Sequence, residues 1–233
     1  MIGDVMEIVV RWSAPLPAEP RFLRLLDDVE QGRFEAYRQD ADKRRFLTGR
    51  VLAKTVTAER LGVPLESVKF DATCEDCGKP HGRPRLPGAD LTLSISHSGD
   101  LIGLAATPAV PVGLDVETAT RRADDGLIEY ALSPAEAGHL AGLPPEEKAR
   151  AFFVYWTRKE AVMKATGKGL KIPLQSITFS RYDEPARLIT SGDPALDPAR
   201  TRLVDLKAAD GYRAAIAVLT TDELSVTEEH WVP

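Results

Sequence analysis

Asp115 and Glu117 stand one residue apart in the run Gly113-Leu114-Asp115-Val116-Glu117. On a strand, alternate side chains share a face, so the two acids point together while Leu114 and Val116 point the other way. Neighbouring carboxylates repel unless a cation separates them, and oxygen ligands suit Mg²⁺. Taken alone, such a pair is more simply a solvated strand face. The segment Phe152 to Pro173 removes that ambiguity. Its Trp156, Glu160 and Lys164 recur every four residues, one stripe of a helix, and Lys159 sits about 100° from Glu160 around the axis. Lys164, Lys168 and Lys171 crowd the helix end beside Gly167 and Gly169. Two chemistries fit: an i, i+4 salt bridge worth a few tenths of a kcal/mol, or a phosphate cradle with a metal ligand.

Three further clusters are weaker. In Ser94-Ile95-Ser96-His97-Ser98 a histidine is flanked by hydroxyls, and Gly99 lets the chain turn beside it. Such a histidine is a donor for an anion or a satisfied structural group; no nucleophile-elbow motif accompanies it, so a hydrolase triad is excluded. The run from Asp40 to Arg50 brings Lys43, Arg44, Arg45 and Arg50 within a few helical turns, a basic face or a phosphate clamp. Cys74 and Cys77, with His81 nearby, form one thiol pair where a structural zinc site usually wants four ligands, so the segment is expected to be a reduced, non-ligating loop. Gly78-Lys79-Pro80 beside it is a rigid turn carrying a cation.

These residues need elements to hold them. MEIVVRW reads as a first strand. Residues 21–61 read as helical with a break around Gly32, ending at Gly62 before Pro64. VKFDA is expected to be a strand, followed by a Gly- and Pro-rich loop through Asp90. LTLSISHS alternates, with Leu91, Leu93 and Ile95 on one face and Thr92, Ser94 and Ser96 on the other, the period of a half-buried strand. LIGLAAT and VGLDVE are further strands on either side of a junction at Pro108 to Pro111. Helices follow at 134–140 and 146–166, then strands ITFS, RLIT, TRLVDL and YRAAIAVL. Helices mixed with hairpin-linked strands mean an α+β fold.

The 233 residues, 43% hydrophobic and 28% charged, with 17 Gly and 17 Pro, are those of an ordinary globular chain, excluding collagen-like and wholly disordered classes. A balance of 30 Lys and Arg against 35 Asp and Glu, net −5, leaves no general basic field for nucleic acid. No run approaches a membrane span, and the start carries Asp4 and Glu7 rather than an export signal. Two cysteines are too few for a disulfide framework, so a reducing cytoplasm is expected. A P-loop is excluded by the absence of its motif.

In chain order, Arg45, Gly78-Lys79-Pro80, Ser96-His97-Ser98, Gly113 to Glu117, and Trp156-x-x-Lys159-Glu160-x-x-x-Lys164-x-x-Gly167-x-Gly169-Leu170 resemble the motifs of the surfactin-synthetase-activating type of 4'-phosphopantetheinyl transferase. The match covers roughly residues 30 to 180. The resemblance implies transfer of phosphopantetheine from coenzyme A to a serine of an acyl or peptidyl carrier protein, in polyketide or nonribosomal peptide synthesis, with release of 3',5'-ADP. It also implies a monomer of two similar α/β subdomains related by a pseudo-two-fold axis, with the active site in the cleft between them. Residues 1–108 would form the side that binds the 3'-phosphate and adenine, and residues 109–233 the metal site and phosphate-binding helix. Asp115, Glu117 and Glu160 would hold Mg²⁺. Lys164, Ser96 and His97 would hold coenzyme phosphates with Lys159 close by, Arg45 and Arg50 would clamp the 3'-phosphate, and Lys79 and Pro80 would border the adenine. Glu160, Lys164 and Glu136 would be catalytic, Glu136 as general base; Arg33 and Arg38 align less well. Residues 118–132, mixing Arg121 and Arg122 with Leu127, Ile128 and Tyr130, would dock the acidic carrier. The rivals are a holo-acyl-carrier-protein synthase serving fatty-acid synthesis and a non-catalytic protein that binds coenzyme A or a carrier.

Overall fold

The computed structural model describes residues 5–75, 77–119 and 123–233. Alternation in the first segment makes strand β1, Val5–Ser13, and puts Ile8, Val10 and Trp12 wholly inside. Helices α1, Pro20–Leu23, α2, Asp28–Ala36, and α3, Asp40–Leu61, follow. Gly32 lies within α2 and does not break it. A capping box, in which the Asp27 carboxylate accepts from the Glu30 N–H and Glu30 answers to the Asp27 N–H, holds that helix against the cost of a central glycine. The interruption falls instead at Tyr37 and Gln39, both extended. α3 ends where Gly62 turns left-handed, at φ 64°. VKFDA forms no strand; only an isolated bridge joins Asp71 to Arg85.

The remaining elements are β2, Thr92–Ser98, β3, Leu101–Thr107, and β4, Val112–Thr118; helices α4, Asp125–Ala131, α5, Pro134–Leu140, and α6, Pro145–Thr166; then β5, Ile177–Phe179, β6, Leu188–Ser191, β7, Arg202–Leu206, β8, Tyr212–Val218, and β9, Glu223–His230. The fold is α+β, as its element pattern predicts. β9 is additional to the expected strands. It runs parallel to β1, in register from Val5–Glu223 to Trp12–His230.

Strand order makes the internal similarity visible. β2-β3-β1 forms one antiparallel set, with β9 added at its edge, and β7-β8-β4 forms another. In each, a first strand leads to a 22-residue helix and then to a hairpin whose second strand pairs with the first. The two sets share a central core, with Ile8, Val10 and Trp12 clustered with Leu114, Val116, Ile216 and Val218. α3 covers the outer face of its set through Leu52, Ala53 and Val56 with Leu93 and Leu104, and α6 covers the other through Phe152, Ala161 and Ala165 with Ala215 and Ala217.

Two features bring the acids to the helix stripe. A Cβ at Gly113 would collide with the Ala161 carbonyl oxygen and the Ala165 nitrogen, so only glycine lets β4 lie this close to α6. Where the two sets meet edge to edge, serines of β2 stand in for strand pairing. Ser94, Ser96 and Ser98 Oγ accept from the N–H groups of Leu114, Val116 and Thr118 at 2.9, 3.2 and 3.2 Å. The polar face of β2 is thus a seam, with Ser94 and Ser96 about 5% exposed, rather than the solvated side its alternation suggests.

Candidate active site

On β4 the residues that alternate with the central core face α6, which brings Asp115 and Glu117 into one pocket of about 320 Å³ with Trp156, Glu160 and Lys164 of α6 and Ile95, Ser96 and His97 of β2. Both halves contribute walls. Asp115 is 4% exposed. Its Oδ1 accepts from Lys164 Nζ at 2.7 Å and Ser96 Oγ at 3.0 Å, while Oδ2 is buried without a hydrogen-bond partner. Burial raises the proton affinity of Asp115, against the opposing pull of Lys164. Glu160 is raised for the same first reason and further by the Asp115 and Glu117 charges. Ser98 Oγ donates to Glu117 Oε2 at 2.8 Å. The three acids do not converge to within 4.8 Å of one another. The donor set is nonetheless all oxygen, and a buried carboxylate oxygen lacking a partner is costly until something positive reaches it. The residues therefore fit a hard divalent cation such as Mg²⁺.

His97 carries partial desolvation and the nearby charges of Lys164 and Arg45, which hold its imidazole below the usual value. Arg45 Nε donates to the Gly99 carbonyl at 2.7 Å and its Nη1 pairs with Asp42 at 2.8 Å, fixing the guanidinium at the β2–β3 turn. Arg50, five residues on, points to another side of α3. It lies 3.6 Å from Glu30 and lines a separate pocket of about 150 Å³ with Arg33 and Pro80. Arg45 and Arg50 are therefore not brought together on one phosphate. Lys79 and Pro80 are exposed, on the loop between α3 and β2.

Two expectations are corrected by burial. Lys159 and Glu136 are both inaccessible: the ammonium donates to Leu174 O and Ile177 O at 2.9 and 2.6 Å and meets Glu136 Oε2 at 2.7 Å. Glu136 also accepts from Ser133 N and Phe179 N, as the N3 acid of a capping box on α5. Neither reaches the pocket, so Glu136 is no general base and Lys159 no phosphate ligand. Lys168 leaves the expected cradle as well, pairing with Asp193 at 2.7 Å. In the expected docking segment, Arg121 and Arg122 lie outside the described residues; Ile128 is 7% exposed and belongs to the core, Leu127 is partly buried against it, and Tyr130 is 54% exposed.

Arg83, which has no motif around it, clasps the junction. It donates to Leu93 O on β2, Val112 O on β4 and Lys164 O on α6 at 2.9, 2.8 and 3.2 Å. A second pocket, about 370 Å³, runs from Arg83 and His81 to Glu160 and Lys164, sharing those two residues and Ile95 with the first. A larger groove, about 1160 Å³, lies elsewhere, along Pro144 to Arg150 and Lys207 to Arg213.

Comparison with known proteins matches two family profiles end to end. One is described as 4'-phosphopantetheinyl transferase, N-terminal, over residues 11–109, and the other as the 4'-phosphopantetheinyl transferase superfamily, over residues 111–217. The 4'-phosphopantetheinyl transferase HetI of Nostoc sp. is 33% identical over 89% of this chain and 86% of its own length. A 4'-phosphopantetheinyl transferase of Bacillus subtilis is 29% identical over 91% of this chain and 92% of its own. The 4'-phosphopantetheinyl transferase Sfp of Bacillus subtilis is 28% identical over 70% of each.

Proposed function

This chain belongs to the 4'-phosphopantetheinyl transferase superfamily, and on that premise we propose that it moves the phosphopantetheine arm of coenzyme A onto a serine of an acyl or peptidyl carrier protein, releasing 3',5'-ADP. The observation that carries the reading is the pocket itself: a buried aspartate with an unpartnered oxygen, two further acids and a lysine, walled by both halves. Carriers of polyketide or nonribosomal peptide synthesis are the proposed clients, because the motif set resembles the surfactin-activating type.

The reaction forms a phosphodiester at the serine and breaks the pyrophosphate, so it needs charge neutralisation and alignment rather than a protein nucleophile. Asp115, Glu117 and Glu160 would hold Mg²⁺, which supplies Lewis-acid neutralisation of the pyrophosphate oxygens. Lys164 and His97 bind phosphate oxygens, and Ser96 orients Lys164 and Asp115. Glu160, which lines the same pocket, is the group proposed to take the serine proton. Arg45 reads the 3'-phosphate from the first half, residues 1–108, and Arg50 and Pro80 border the adenine end with Lys79; the metal ligands belong to residues 109–233. The proposed active unit is a monomer. Among the described residues no helix is long and apolar enough to cross a membrane; a cytoplasmic setting accompanies a reaction that consumes coenzyme A. Tyr130, exposed on α4, is the apolar anchor proposed for the carrier.

The test is mass spectrometry of a purified apo carrier protein incubated with coenzyme A, Mg²⁺ and this chain. Gain of the phosphopantetheine mass, abolished by chelation, is the expected result. Tight binding of coenzyme A with no mass transferred to any carrier offered would make the chain a binder instead.

A further inference from the structure

Between α3 and β2 the chain has little apolar anchorage of its own and is tied to the rest of the fold chiefly through Arg83. From Lys69 to Thr92 no described residue is buried. The segment keeps its shape through backbone bonds: Asp71 and Arg85 exchange N–H and carbonyl at 2.9 and 2.8 Å, and the Gly82 N–H donates to Ala72 O at 2.7 Å. A Cβ at Gly82 would press on the carbonyls of Ala72 and Thr73, so the two legs of the loop approach as closely as backbone allows. At its tip the Gly78 N–H donates to Cys74 O at 2.9 Å and the Cys74 N–H to Lys79 O at 2.8 Å, with Gly78 left-handed at φ 70°.

That turn folds the two thiols and a histidine onto one point. The Sγ atoms of Cys74 and Cys77 and a ring nitrogen of His81 all lie within 4.8 Å of one another, and Cys77 Sγ is 2.9 Å from His81 Nε2. Around zinc, bond lengths of about 2.3 Å to sulfur and 2.0–2.1 Å to nitrogen in a tetrahedron separate ligand atoms by about 3.6–3.8 Å. The cluster is already at that scale and needs the Cys77–His81 pair to open by only about 0.7 Å. Spacing, turn and convergence agree, contrary to the non-ligating loop that a single thiol pair suggests from sequence.

We propose that Cys74, Cys77 and His81 bind a zinc ion, with solvent at the fourth position, and that the ion takes the place of a core in holding this loop. The site is separate from the acid pocket in chemistry, since two thiolates and an imidazole select a softer ion than three carboxylates do. It is linked to it in space. His81 lines the second pocket with Glu160 and Lys164, and two residues on, Arg83 clasps both halves. The proposal stands whether or not the chain transfers phosphopantetheine.

Cobalt titration of the reduced, metal-free full-length protein tests it. One equivalent of Co²⁺ should produce a near-ultraviolet thiolate-to-cobalt charge-transfer band and intense visible bands of a tetrahedral ion, both removed by one equivalent of Zn²⁺. Cobalt at the carboxylates would give no charge-transfer band, which keeps the two sites apart. In Cys77→Ser the charge-transfer band should weaken, and in Cys74→Ser/Cys77→Ser it should vanish while circular dichroism shows the helices intact. Zn²⁺ should also protect the two thiols of the wild type from alkylation. A wild-type protein that gives no charge-transfer band and no zinc protection of its thiols, whether the cysteines stay reduced or close into a disulfide, overturns the proposal.

Discussion

Asp115 is the residue on which most of the site's electrostatics meet. It is buried, shares one oxygen between Lys164 and Ser96, and presents the other to nothing. Asp115→Asn keeps the shape but removes the charge that a divalent cation needs. Turnover at saturating coenzyme A should fall by orders of magnitude, since metal neutralisation of a transferring phosphoryl group is worth several kcal/mol. Circular dichroism should be unchanged, and excess Mg²⁺ should recover little; wild-type turnover at limiting Mg²⁺ would remove Asp115 from the metal site. Arg45 invites a different measurement. Its guanidinium is anchored at Gly99 and Asp42 and contributes to the low proton affinity of His97. If it reads the 3'-phosphate, wild-type protein should bind coenzyme A more tightly than 3'-dephospho-coenzyme A, and Arg45→Ala should erase most of that difference, as a charged, bidentate pair would. Full discrimination by the mutant in calorimetry would give the clamp to another residue.

At the scale of elements, one helix carries two lysines of opposite fate. Lys164 ends α6 at the pocket, whereas Lys159, on a neighbouring face, is sealed against Glu136 at the start of α5 and the turn before β5. Burial lowers the proton affinity of Lys159, and Glu136 opposes that shift. Glu136→Gln leaves an ammonium with no counter-charge in the interior and should cost about 3–5 kcal/mol in urea unfolding. Lys159→Met/Glu136→Leu, which removes both charges but leaves the Ser133 and Phe179 N–H groups without their acceptor, should recover part of that stability and retain turnover. A Glu136→Gln protein of unchanged stability but no activity would restore the general-base assignment.

Across the whole molecule, the halves are joined by polar contacts rather than by apolar area alone. The serine seam of β2 and β4 is one junction and Arg83 a second. A third lies at the far side, where Glu228 of β9 accepts from Trp12 Nε1, Lys207 N and Ala208 N, each at 2.8 Å, tying β1 to the end of β7. Glu228→Ala leaves a buried indole N–H and two backbone donors to find water. It should destabilise the chain by about 1–3 kcal/mol, measured by thermal melting. Because the acid pocket lies on the opposite side of the shared core, the coenzyme A affinity of the folded mutant should be close to wild type. A large loss of that affinity with an unchanged melting temperature would mean that Glu228 acts on the site and not on the junction.

The periodicities of single elements were enough to place much of this protein. Alternation in β4 put Asp115 and Glu117 on one face, and the four-residue spacing of α6 put Trp156, Glu160 and Lys164 on one stripe, because both are properties of a few consecutive residues and need no knowledge of the partner. The same reasoning found the helices of 134–140 and 145–166 nearly to the residue. It could not distinguish Lys159 from Lys164, since burial decides between a structural and a chemical lysine and burial is set by elements far along the chain. Gly32 and VKFDA depart from their local pattern for a related reason: local propensity yields to a capping box in the first case and to the lack of a pairing neighbour in the second. The serine face of β2, the clasp of Arg83, the pairing of β9 with β1 and the convergence of Cys74, Cys77 and His81 all depend on how the chain returns upon itself. Only the tertiary structure decides them, because each needs a chain closure whose entropic cost must be offset by contacts that the local pattern does not display.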